Sequence, residues 1–115
     1  MRKQMIENAA YEVATQVRAV EDSIEAALAE LADLQAKMVR ARSVTNAAFV
    51  TTHPAFEQLA VATSSLVAAR GGIAHCHAAL AETKNSIPGL RTVGFGDQGD
   101  CPDAKTARVD LRVVA

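Results

Sequence analysis

His75, Cys76 and His77 stand in succession, and Cys101 lies further along the chain. Together they are the only group with the look of a metal site. Zinc takes four nitrogen or sulfur ligands. On a helix, His75 and His77 point about 200° apart and cannot share one ion. Cys76 or His77 with Cys101 makes two ligands, so no metal is expected. The plainer reading makes Cys76 a small buried residue of a packed helix face, with the histidines beside it. Nucleophilic catalysis needs a thiol or hydroxyl next to a base and an orienting group. Cys76 is expected to be buried, and Ser64-Ser65 have no such partners nearby. Cys101 is flanked by Asp100 and Asp103, whose charges raise a thiol pKa instead of lowering it. No enzyme activity and no cofactor are expected.

Two further patterns touch on binding. Gly94, Gly96 and Gly99 have the spacing of a phosphate-binding glycine loop. No strand–helix–strand unit surrounds them, so a plain loop is the expectation. Glu21, Asp22, Glu25 and Glu30 form an acidic band, the candidate surface for a basic site on another protein. Its ordinary meaning is a solvated helix face. Lys37, Arg40 and Arg42 follow, where cations suit a helix C-terminus.

The elements that position these residues are helices. Ile6, Ala10, Val13, Val17, Val20, Ile24, Ala27, Leu31, Leu34, Met38 and Ala41 keep a 3-4 alternation with no polar residue among them. That is one face of a helix over 3–42, with a continuation to 50 left open. Arg18–Asp22 and Asp33–Lys37 are spaced as i,i+4 pairs. The break is expected at Thr51-Thr52-His53-Pro54, because threonine before a first-turn proline reads as a helix start. A second helix over 54–85 then carries Ala55, Leu59, Ala62, Leu66, Ala69, Ile73, Cys76 and Leu80. Gly71-Gly72 in its middle signals a kink or a close backbone approach.

The short break folds the helices into a long antiparallel, alanine-rich, coiled-coil-like hairpin over 1–87, an all-α fold. Ala14, Leu28, Val67 and Ala68 lie off the expected seam. Residues 88–115 form a Gly-rich loop and an irregular tail. In that tail Arg108–Val113 alternates as a strand would and Arg91-Thr92-Val93 is a candidate partner. The seam residues expected to matter most are Val17, Ile24, Leu31, Leu59, Leu66 and Ile73.

Composition narrows the function classes. The chain has 115 residues, one domain's length, and a net charge of −1. That balance argues against a nucleic-acid binder. Alanine fills 24 positions and there is no Trp, so helix propensity is high and bulky core is scarce. No apolar run suits a membrane span or a secretory leader. A cytoplasmic setting is expected, with both cysteines reduced.

Leu66-Val67-Ala68-Ala69-Arg70 and Gly89-Leu90-Arg91-Thr92-Val93-Gly94 resemble segments of small helical proteins from phages and prophages of GC-rich bacteria. The resemblance covers about a tenth of the chain and implies no activity. The helical hairpins of type VII secretion are of similar size but carry Trp-x-Gly in the turn, which this chain lacks. The expectation is a non-enzymatic scaffold or adaptor that forms a homo-oligomer or binds a protein partner. The alternative is a small inhibitor or regulator that offers the acidic band to a basic site on a host protein.

Overall fold

The computed structural model describes residues 1–90. Two helices account for nearly all of them: α1, Arg2–Thr45, and α2, Phe49–Lys84. There is no strand among the described residues. The fold is the expected all-α helical hairpin. The glycine pattern at 94–99, Cys101 and the alternation at 108–113 lie outside the described residues.

The turn lies earlier than the expected Thr51–Pro54 break, and Asn46 is the reason. Its φ is +55°, the left-handed region that asparagine tolerates better than most residues. The Ala47 amide donates to the Arg42 carbonyl at 3.3 Å, and the Asn46 amide donates to the Ser43 carbonyl at 3.4 Å. This bonding pair, with a left-handed residue between, is a Schellman C-cap. Arg42 reinforces the turn twice. Its Nε donates to the Ala47 carbonyl at 3.0 Å, and its guanidinium lies 4.0 Å from the Phe49 ring centroid. The Ala48 carbonyl then accepts from both the Thr51 and Thr52 amides at 3.2 Å, which opens α2. Pro54 therefore sits inside α2, not at its first turn.

The far end of α2 unwinds through three tight bonds. Asn85, Ser86 and Ile87 each donate to the carbonyl three residues back. A reverse turn follows, closed by the Leu90 amide on the Ile87 carbonyl at 3.1 Å. Pro88 and Gly89, with φ +90°, hold its two central positions, as a type II turn requires. This turn delivers Leu90 to the most buried position in the described chain, with 2% of its surface exposed.

The chain divides into two compact units. Residues 17–75 form one, built around the turn. Residues 1–16 join residues 76–90 in the other. In the first unit Arg70 on α2 donates to Glu25 on α1. These two residues are nearly equidistant from the turn, so the helices there run back alongside each other without stagger.

Gly71 and Gly72 lie inside α2 and neither kinks it out of the helical assignment. A Cβ placed on either meets nothing within 4 Å, so the close approach expected there is not found among the described residues. Each glycine costs a helix interior about 1 kcal/mol relative to alanine. Gly71→Ala with Gly72→Ala should therefore raise stability by about 2 kcal/mol in chemical denaturation. A drop in stability would mean that the backbone at this pair is not the helix described.

Candidate functional site

The six seam residues all fall within the 17–75 unit. Leu59 is buried, at 8% exposure, while Val17, Ile24, Leu31, Leu66 and Ile73 are half-buried. All six are thus at least partly shielded from solvent.

The second row of the seam is different on both helices. On α1, Ile6, Val20 and Ala27 are half-buried as expected but Val13, Leu34 and Ala41 are exposed, and Ala14 and Leu28, expected off the seam, are half-buried. On α2, Ala55, Ala62, Ala69 and Cys76 are exposed. The neighbours one residue on from Ala55, Ala62 and Cys76 take the inward places: Phe56 and Thr63 are half-buried and His77 is buried at 7% exposure, while Arg70, after Ala69, is exposed. Val67 and Ala68 lie outside, as expected. On α2 the inward row is therefore shifted by about one residue, roughly 100° around the helix, on that side of the stripe.

On α2 the cause is energetic. An alanine methyl buries little area, so a row of alanines hardly holds a helix face inward. Phe56 has far more area to hide. Thr63 meets the cost of a polar seam position by donating its hydroxyl to the Leu59 carbonyl at 3.0 Å. Cys76 is accordingly an exposed free thiol, the reverse of its expected burial, and His77 takes the inward place.

The acidic band is not one uniform patch. Glu21 is half-buried and already engaged, and Glu25 is paired with Arg70. The hydrogen bond from Arg70 to Glu25, and then the charge of Glu25, raise the Arg70 pKa above its ordinary value. Asp22 and Glu30 are exposed. The expected Asp33–Lys37 pair is not formed. Among the described residues no three His, Cys, Asp or Glu side chains converge on a point suited to a metal ion.

Large apolar side chains stay outside. Leu34 is 47% exposed, Val39 and Val67 are each 53%, and Val61 and Phe49 are more open still. Between Gln58 and Ala81, α2 carries a single formal charge, Arg70, and that one is neutralised by Glu25. Beside Leu34, an open depression of about 600 Å³ runs along α1, lined by Ala27, Glu30, Leu31, Asp33, Leu34 and Lys37. No helix among the described residues is long and apolar enough to cross a membrane.

No protein-family model, curated protein or solved structure matches the chain.

Proposed function

We propose that this chain is a non-catalytic helical-hairpin scaffold or adaptor that works in the cytoplasm of a phage-infected or prophage-bearing bacterium. It acts by self-association or by binding another protein through apolar helix surface. One observation carries the reading. Among the described residues only Leu59, Leu90 and His77 are buried, and no side chain is fully enclosed, while a dozen large apolar residues remain exposed. Two helices alone do not make the two-layer core on which a domain of this size depends. The surplus apolar surface is a contact surface in waiting.

The alternative, an inhibitor that offers its acidic band, has less behind it. Two of the four carboxylates, Glu21 and Glu25, are already engaged within the chain.

Size exclusion with light scattering, at low and high salt, tests the reading. The expected result is a defined dimer or larger oligomer whose mass does not change with salt, because apolar burial is not screened. A chain that stays monomeric at high micromolar concentration would overturn self-association. A complex with host protein that dissolves in salt would favour the acidic alternative.

A further inference from the structure

The segment Glu30–Arg40 of α1 is its own electrostatic complement when reversed. Glu30 and Asp33 lie five and two residues before Gln35, and Lys37 and Arg40 lie two and five residues after it. In helical rows seven residues apart, Glu30 shares a row with Lys37, and Asp33 shares the next with Arg40. Each row therefore holds one acid and one base.

Among the described residues, none of these four side chains enters an ion pair or a hydrogen bond within the chain. All four are exposed. Leu34 stands on one side of both charged rows with nearly half its surface open, and the depression over Ala27, Leu31 and Leu34 runs along that side, lined also by Glu30, Asp33 and Lys37.

We propose that a second copy of this chain docks here, its α1 antiparallel to the first and crossing at the level of Gln35. A two-fold axis makes such a contact isologous: if residue i meets j, then j meets i. Glu30 and Asp33 then face the basic pair Lys37 and Arg40 of the second copy, and the same contacts repeat on the other side of the axis. Leu34 packs beside Leu34 of the second copy. A parallel arrangement sets like charges together, and so the charge order selects the antiparallel one. Apolar contact supplies the affinity, and the charges fix register and partner. A segment that complements itself points to a second copy and not to an unrelated protein.

This inference rests on the self-association reading, and one experiment separates the two. The full-length variant Lys37→Glu/Arg40→Glu carries four acids on the segment. The full-length variant Glu30→Lys/Asp33→Lys carries four bases. All four sites are exposed on a helix, and both replacements are good helix formers, so helicity by circular dichroism should match the wild type.

Light scattering should show wild-type dimers. Either variant alone should self-associate about a hundredfold more weakly, as four exposed pairs turn from attractive to repulsive. Mixing the two should restore a dimer holding one copy of each, which native mass spectrometry reads directly. Partial recovery of each variant alone in 1 M salt should accompany this, because the repulsion is screened. If the wild type oligomerises but both variants self-associate equally well, with no preference for mixed dimers, the 30–40 register is overturned and self-association stands. If the wild type is monomeric, both fall.

Discussion

Leu59→Asp should dissolve the paired helices of the 17–75 unit, while Ala62→Asp, one turn away on the same helix, should leave helicity and melting nearly unchanged. Leu59 is the most buried residue of that unit, at 8% exposure, and Ala62 faces solvent. The milder Leu59→Ala should cost about 2–4 kcal/mol, the lost transfer energy plus an incompletely collapsed void. A carboxylate at the same place adds the penalty of an unpaired buried charge, which a small hairpin cannot absorb. The experiment is urea denaturation followed by circular dichroism. Equal loss for Leu59→Asp and Ala62→Asp would show that α2 is rolled back onto its alanine row, and the assignment of Phe56, Thr63 and His77 to the inward side would fail.

Pro54→Ala should stabilise the chain by about 2 kcal/mol, a rise in Tm on the order of 10 °C. Pro54 is the sixth residue of α2. It brings no amide hydrogen to the Val50 carbonyl one turn back, and its ring crowds that oxygen. Val50 is exposed, so water can take the missing donor's place, which is why the helix tolerates the proline at all. His53 and Glu57, 3.5 Å apart, bridge the weakened turn with an exposed pair of small worth. Thermal melting decides the matter. No change, or a loss of stability, would mean that the helix begins at Pro54, where proline is favourable.

The two outcomes mark where the sequence was readable and where it was not. Helix content and the hairpin follow from the long 3-4 alternation, and the row Val17, Ile24, Leu31 with Leu59, Leu66, Ile73 is legible because these side chains carry enough apolar area to set a face. The second row is not legible from polarity alone. Alanine is apolar by type but nearly indifferent by area, and Thr63 is polar by type but satisfied by its own helix. Phe56 was the available signal: a lone large aromatic beside a row of alanines decides which way the helix rolls.

The turn was misplaced for a similar reason. Thr51-Thr52-His53-Pro54 has the look of a helix start, but a C-cap is set by the residue able to take a positive φ. Asn46 was that residue. The self-complementary charge order at 30–40 was present in the sequence from the start. It became meaningful once the structure left Leu34 and its four charged neighbours on the outside.

The unstaggered pairing around Asn46 also shapes how the 17–75 unit is made. Residues next to the turn meet across a few peptide units, whereas Glu25 and Arg70 must close a chain 45 residues long. Closing that loop first is slow, and closing it after the nearer layers have formed adds little further entropy. Assembly therefore runs as a zipper from the turn outward, with Arg42 and the Asn46 cap as its starter. Opening runs the other way, so amides around Leu59 should exchange with solvent more slowly than those around Ile73.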